Sequence, residues 1–196
     1  IDSKVIGVQN SIDQFFYEDN GKKYMFWGSF RGIYATELTD NGLEIKKKTD
    51  GTPVLKKRIC GNRFEGTNIY KRGEYYYLFA SIGTCCNGAT STYQTVVGRS
   101  KNVLGPYLDK TGRDMLYDYC EIIMSGNETW AGPGHNSILI QDDVGTDWII
   151  YHGYKKKEAE NGRYVLMDKL IWSNDGWPSV KSNAPSILEV APYFQK

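Results

Sequence analysis

The stretch Ile12-Asp13-Gln14-Phe15-Phe16 decides the fold class, because two later stretches, Phe64-Glu65-Gly66-Thr67-Asn68-Ile69 and Gly134-His135-Asn136-Ser137-Ile138, open the same series of elements. Each opening leads into a short strand, a polar turn, an aromatic-rich second strand, a loop and a third strand. Self-similarity at about 50–70 residues is typical of propeller blades, four-stranded sheets that stack around an axis. We therefore predict an all-β propeller with repeats at approximately 11–57, 64–112 and 132–181.

The strands of each repeat follow from alternating apolar residues between turn signals such as Asn20-Gly21. A short fourth strand of the first repeat is predicted at 43–47, and the first strand of the third repeat at 136–141. Three blades do not close a ring, since a propeller usually needs about four to eight. The pattern therefore predicts further blades, in the same or a companion chain. A two-sheet sandwich is the alternative arrangement.

The composition is that of a globular protein, with 40% hydrophobic and 24% charged residues among 196. No apolar run approaches the roughly 20 residues that span a membrane. The net charge of +1 argues against a nucleic-acid partner, because nucleic-acid binders carry a basic excess.

The four cysteines, Cys60, Cys85, Cys86 and Cys120, show no spacing typical of a metal site. Reduced, buried thiols are the default expectation. A Cys85–Cys86 bond and a Cys60–Cys120 bridge are the alternatives, the first of them strained relative to ordinary disulfide geometry.

The repeat places Asp13, Glu65 and His135 at one equivalent position, the start of each innermost strand. In a propeller these positions converge near the axis. Two acids and an imidazole brought together there predict a functional site.

The chain resembles glycoside hydrolase family 43, a family of five-bladed propellers, and within it the endo-1,5-α-L-arabinanases. The resemblance covers nearly the whole chain, and it implies that the two N-terminal blades lie outside this sequence. It rests on motifs in the expected order, namely Ser11-Ile12-Asp13, Phe64-Glu65-Gly66, the stretch from Ser91-Thr92-Tyr93 to Val97-Gly98-Arg99-Ser100, Gly132-Pro133-Gly134-His135-Asn136-Ser137, and Asp175-Gly176-Trp177-Pro178.

The resemblance implies hydrolysis of α-1,5-linked arabinan with inversion of configuration. Glu65 corresponds to the general acid, and Asp13 to the carboxylate that orients this acid and adjusts its proton affinity. Inversion needs acid and base about 6.5–9.5 Å apart, to leave room for a water. The general base belongs to a blade outside this chain, since Asp2 lacks the context of a blade opening. These 196 residues alone are therefore expected to be inactive.

The resemblance also implies that His135 lies beside one metal ion, usually calcium, in the central channel, and that the protein is secreted or periplasmic. An alternative for His135 is a bond to a carbonyl or carboxylate, and His152 is expected to be structural. No organic cofactor is expected. Substrate contacts are predicted for Asn136, Ser137, Ser29 and Phe30. Two other functions stay open, an exo-acting arabinofuranosidase or xylosidase and a non-catalytic carbohydrate-binding propeller.

Overall fold

A computed structural model describes residues 6–195 of the chain, and the predicted all-β class is confirmed. The first sheet is antiparallel, in the order β1 (Phe15–Asp19), β2 (Lys22–Trp27), β3 (Ile33–Glu37), β4 (Lys57–Cys60). Asn20 and Gly21 turn β1 into β2 with φ angles of 49° and 75°. A tight hairpin requires positive φ at both central residues, so the turn predicted from Asn20-Gly21 is confirmed.

The strand predicted at 43–47 is wrong. These residues form only isolated bridges, Leu38 with Ile45 and Lys47 with Pro53, and the fourth strand is β4 instead. The reason is burial, because Ile59 and Cys60 of β4 are enclosed whereas Leu43 is 82% exposed. Within the long excursion between β3 and β4, Leu43 faces solvent and Ile45 packs against the cluster of Ile6, Val8 and Trp27.

The second sheet has the order β5 (Glu65–Arg72), β6 (Tyr75–Ile82), β7 (Gln94–Ser100), β8 (Glu121–Met124). The strand β6 is buried from its second residue to its last. A strand enclosed on both faces reads as a continuous apolar run, which is how Tyr75–Ile82 appears in the sequence. The short β8 was not predicted.

The third sheet centres on β11 (Asp147–Lys155), which pairs with β9 (Trp130–Gly134), β10 (Ile140–Gln141) and β12 (Arg163–Lys169). A two-stranded hairpin of β13 (Ile171–Trp172) and β14 (Pro178–Ser179) follows. The strand predicted at 136–141 is wrong over its first four residues, which lie in a loop. His135, with φ of 50°, breaks the extended backbone after β9.

The chain divides into two compact units. One runs to Phe79 and includes Gly98–Glu121, and the other contains Ala80–Val97 and the residues from Ile122 onward. Among their largest enclosed side chains are Phe26, Trp27 and Phe64 in the first unit, and Tyr93 and Trp148 in the second. Within residues 6–195, no helix is long and apolar enough to cross a membrane.

The default expectation of four reduced thiols is wrong for one pair. Cys85 and Cys86 form a disulfide, and neither is buried, whereas Cys60 and Cys120 are free. Burial raises the pKa of Cys60 well above its usual range and that of Cys120 to about 11. Both free thiols are therefore protonated at neutral pH and poor nucleophiles.

Candidate active site

A left-handed backbone marks the opening of each repeat. Asp13, Gly66 and His135 have φ angles of 58°, 63° and 50°. This conformation is costly for residues with a side chain, as at Asp13 and His135. Glu65 does not adopt it, and the glycine that follows does.

Four of the predicted site residues come together in the first unit. Gly28 N–H donates to the carbonyl of Ile12, immediately before Asp13, over 2.9 Å. Ser29 Oγ donates to Glu65 Oε2 over 2.7 Å, and Phe30 N–H donates to the carbonyl of Phe64 over 2.9 Å. The residues that follow β2 are thus tied both to the segment before β1, which contains Asp13, and to the start of β5 at Glu65.

The turn after β2 depends on a glycine. Gly28 has φ of 127°, and a Cβ at this position would overlap the carbonyl oxygen of Gly32. The chain can therefore fold back tightly here, which presents Ser29 and Phe30 towards β5. Asn10 Nδ2 donates to the carbonyl of Ser29 over 2.6 Å and fixes the same turn from the other side.

Glu65 is a buried carboxyl, only 7% exposed, and Ser29 beside it is 2% exposed. Burial excludes water from the carboxyl, and the serine hydroxyl fixes its rotation. A carboxyl that must hand a proton to a leaving oxygen needs such a fixed orientation.

Two polar residues near Glu65 were missed by sequence reasoning. Thr67 and Asn68 lie on β5 and are 4% and 6% exposed. Among the described residues, Thr67 Oγ1 and Asn68 Oδ1 have no hydrogen-bond partner. Unsatisfied buried acceptors are costly, so these atoms are candidates for contact with a ligand. No sequence signal marked them, because most residues of β5 are polar.

In the second unit, His135 ends a column of three rings. Its ring stacks on His152 with centroids 6.2 Å apart, and His152 stacks on Tyr93 at 5.8 Å and 11°. His135 is exposed, and its backbone N–H donates to Ser81 Oγ over 2.7 Å. A Cβ on Gly134 would lie 2.5 Å from Tyr93 Cε1, so the glycine admits the tyrosine ring to the column.

His152 carries an imidazole that stays neutral at physiological pH. Burial, followed by the charges of Arg163 and His135, lowers the pKa of His152 to about 4. Arg163 Nη1 lies 3.3 Å from His152 Nε2, which makes Nε2 the acceptor. The proton then sits on Nδ1, a buried atom with no hydrogen-bond partner among the described residues. His152 is therefore an uncharged ring beneath His135.

The remaining predicted contacts follow His135. Asn136 is 3% exposed, and its Nδ2 donates to the carbonyl of Ser137 over 2.9 Å. Its Oδ1 is buried without a partner among residues 6–195. Ser137 is exposed, and its N–H donates to the carbonyl of Ile150 over 2.8 Å. Of the two, Ser137 presents its side chain to solvent.

The side chains described here do not form a complete calcium cage. Within residues 6–195, no group of three or more His, Cys, Asp or Glu side chains could hold a metal ion. Calcium takes about six to eight oxygen ligands, and His135 offers one nitrogen. Asp2, which the sequence analysis rejects as the general base, lies outside the described residues.

Comparisons with known proteins find similar chains among curated sequences. The chain is 36% identical over 182 residues to an extracellular exo-α-(1→5)-L-arabinofuranosidase of Cellvibrio japonicus, covering 87% of this chain and 52% of that protein. It is 35% identical over 173 residues to an extracellular endo-α-(1→5)-L-arabinanase of Bacillus subtilis, covering 87% and 50%. The chain thus spans about half the length of these curated relatives.

Solved structures give the same result. An α-L-arabinanase of Cellvibrio cellulosa, solved with arabinohexaose, matches with a TM-score of 0.73 and 34% identity, over 87% of this chain and 57% of that one. An exo-1,5-α-L-arabinanase from a bovine ruminal metagenomic library matches with a TM-score of 0.74 and 35% identity, over 88% and 58%. The family model for glycosyl hydrolases family 43 matches residues 1–178. The chain therefore belongs to glycosyl hydrolase family 43.

Proposed function

We propose that this chain forms three blades of a five-bladed propeller that hydrolyses α-1,5-linked arabinan with inversion. The observation that carries the proposal is the buried carboxyl of Glu65, held by Ser29 Oγ at 2.7 Å at the opening of β5. Both curated relatives described above are named for action on α-1,5-linked arabinose polymers. Because both are named extracellular, we also propose an extracellular location.

In this mechanism, Glu65 is the general acid that protonates the glycosidic oxygen as the bond to the sugar breaks. Asp13, held in the left-handed conformation beside the end of β2, keeps the acid oriented through its negative charge. Ser29 donates to one carboxyl oxygen and so directs the other oxygen towards the substrate. Phe30 offers a half-buried ring to a furanose face.

The general base is proposed to come from propeller blades outside these 196 residues, in the same or a companion polypeptide. The half-length coverage of the relatives supports this. Mass spectrometry of the denatured protein tests it, because the chain alone is 22.3 kDa. A heavier chain or a second polypeptide is expected. An active enzyme of 22.3 kDa alone would contradict the proposal.

The catalytic assignment is tested by release of reducing sugar from linear arabinan by the protein that contains this chain. Loss of a general acid lowers kcat by about 10²- to 10⁴-fold, so Glu65→Gln is expected to fall in this range. The matched control is Glu18→Gln, an identical change at an exposed residue of β1. Equal activity of the two variants would exclude Glu65 as the acid. Arabino-oligosaccharide binding without any hydrolysis by the wild type would favour the non-catalytic propeller.

An exo-acting enzyme is the second candidate, because one relative is named an exo-arabinofuranosidase and another an endo-arabinanase. The products separate the two. Early release of a ladder of oligosaccharides is expected for the endo enzyme, and a single product from the first minutes would indicate exo action.

We also propose that His135 contributes one ligand to a calcium ion whose other ligands are waters or atoms outside residues 6–195. His135 is exposed and stacks on His152, so its imidazole is accessible. No catalytic step is assigned to the ion. Metal content after dialysis tests the proposal. One calcium per protein is expected, with less in His135→Phe, and equal content in both proteins would exclude His135 as a ligand.

A further inference from the structure

A cavity lies at the opposite end of the second sheet from Glu65. Its volume is about 480 Å³, and it opens in the first unit where β6 begins at Tyr75 and β7 ends at Ser100. The strand β5 runs from Glu65 to the turn before Tyr75, which separates the two sites by about 20 Å at the usual rise per residue. The cavity therefore does not belong to the site already described.

Three cationic residues line this cavity, and a tyrosine ring organises two of them. Arg99 Cζ lies 4.5 Å from the ring centroid of Tyr75, and Lys101 Nζ lies 5.6 Å from the same centroid. Burial raises the pKa of Tyr77, and a hydrogen bond from Arg99 opposes this rise, so Arg99 also contacts that hydroxyl. Lys110 is the third cation. A guanidinium held in this way is preorganised to bind a planar carboxylate.

The anionic groups around the cavity have hydrogen-bond or ion-pair partners of their own. Asp109 is 4% exposed, and its two oxygens accept bonds from Thr111 and from the backbone and side chain of Arg113. Glu121 accepts from the backbone N–H that follows Asp109. Glu74 lies 3.3 Å from Lys101 Nζ, but both side chains are largely exposed, at 79% and 69%. An exposed pair of this kind is weak and is readily exchanged for a ligand.

The rest of the lining is mixed, with Ser100 and Asn102 as polar residues and two apolar side chains. Pro106 and Leu108 line the cavity beside Tyr75. Cations together with apolar and aromatic surface suit a ligand that has a carboxylate on one side and C–H groups on the other. A volume of about 480 Å³ is within the range of small-molecule sites and exceeds the needs of a simple inorganic anion.

We propose that this cavity binds a uronic acid residue of an acidic oligosaccharide, with its carboxylate at Arg99, Lys101 and Lys110. The choice of a sugar over other carboxylates rests on the proposed action on polysaccharides. Such a site would hold the enzyme on mixed neutral and acidic polysaccharides without contacting the scissile bond.

The test is calorimetric titration of the protein with trigalacturonate, with sodium phosphate and arabinotriose as separate ligands. Trigalacturonate is expected to bind. The double variant Lys101→Gln with Lys110→Gln is expected to weaken this binding about tenfold, because an exposed pair of a lysine with a carboxylate contributes modestly to affinity. The matched control, Lys47→Gln with Lys48→Gln, removes two exposed lysines elsewhere in the first unit and is expected to leave binding unchanged. No binding, or equal weakening by both double variants, would overturn the proposal.

A second variant separates recognition from misfolding, because it should improve binding. Glu74→Gln removes the carboxylate that competes for Lys101, so a twofold to threefold tighter affinity is expected, and unchanged or weaker affinity counts against the site. Phosphate that binds as tightly as trigalacturonate would also overturn it, as would competition by arabinotriose. Glu65→Gln should abolish hydrolysis while trigalacturonate still binds. Failure of one proposal is therefore distinguishable from failure of the other.

Discussion

The packing of β9 against the loop that carries Cys85 and Cys86 leads to a sharp prediction for Gly132→Ala. Gly132 has φ of 61°, and a Cβ there would overlap Ser91 Oγ and lie 2.6 Å from Ser91 Cβ. Ser91 is 9% exposed, and its Oγ donates to the carbonyl of Thr84 over 2.6 Å, which anchors the loop. The new methyl group must therefore displace either β9 or the loop.

The expected cost has two parts. A left-handed residue with a side chain costs about 1–2 kcal/mol, and an overpacked core costs about 1–3 kcal/mol more. Gly132→Ala should therefore lower the free energy of unfolding by about 2–5 kcal/mol. Gly145 supplies the matched control, since its φ is 81° and a Cβ there would meet nothing within 4 Å. Gly145→Ala should cost only the conformational part, about 1–2 kcal/mol.

Urea unfolding of both variants measures the difference. Adding Ser91→Gly to Gly132→Ala should recover about 1–3 kcal/mol relative to the sum of the single changes, because the overlapping atoms are gone. Hydrogen exchange should show faster opening of residues 84–92 in Gly132→Ala alone. If Gly132→Ala costs no more than Gly145→Ala, the close approach of β9 to Ser91 is refuted.

Three further changes follow from the second unit. Burial raises the pKa of Asp142, but bonds from Trp148 Nε1 and backbone N–H groups outweigh it and hold the pKa below its usual value. Asp142→Asn should therefore lower the urea midpoint at pH 7. This deficit should shrink below about pH 4, because there the carboxylate protonates first in the unfolded chain. A deficit that grows on acidification would contradict this. Replacing Cys85 and Cys86 together by Ser should change unfolding by less than about 1 kcal/mol, because a bond between adjacent residues closes no chain loop; a loss of several kcal/mol would refute that reasoning. Asn127→Ala should lower the free energy of unfolding by about 1–3 kcal/mol in the same assay. The Asn127 side chain accepts hydrogen bonds from two backbone N–H groups, at 2.9 and 2.8 Å, and donates one to a carbonyl at 2.9 Å. Asn127→Asp retains the acceptors and should lower the free energy of unfolding less.

The sequence predicted those strands whose pattern reflects burial directly. The hairpin of β1 and β2 has a specific turn, and β6 is a continuous apolar run, so both were predictable. The strand β9, Trp-Ala-Gly-Pro-Gly, was not, because glycine and proline disfavour strands. Its glycines are needed for close approach to Ser91 and Tyr93, and that need arises from residues distant in sequence.

The candidate site was predictable to a similar extent. Glu65 and Asp13 stand in motifs that mark the repeat, but the hydrogen bond from Ser29 to Glu65 joins two sheets and left no local signal. The stacking of His152 between Tyr93 and His135 was equally hidden. The sequence alone does not distinguish a histidine that stacks on other rings near a site from one that only fills the core.

The ends of the second strands show how the repeat combines a constant framework with variable chemistry. Ser29 after β2 donates to Glu65 at the next opening, and Ser81 in β6 accepts from the backbone N–H of His135 at the opening after that. In β11, His152 pairs with Gly134, and its ring stacks on that of His135. The serine hydroxyl thus links successive openings twice, and in the third sheet the ring column replaces it. The side chain beside the opening therefore changes from a serine hydroxyl in the first two cases to the neutral imidazole of His152 in the third.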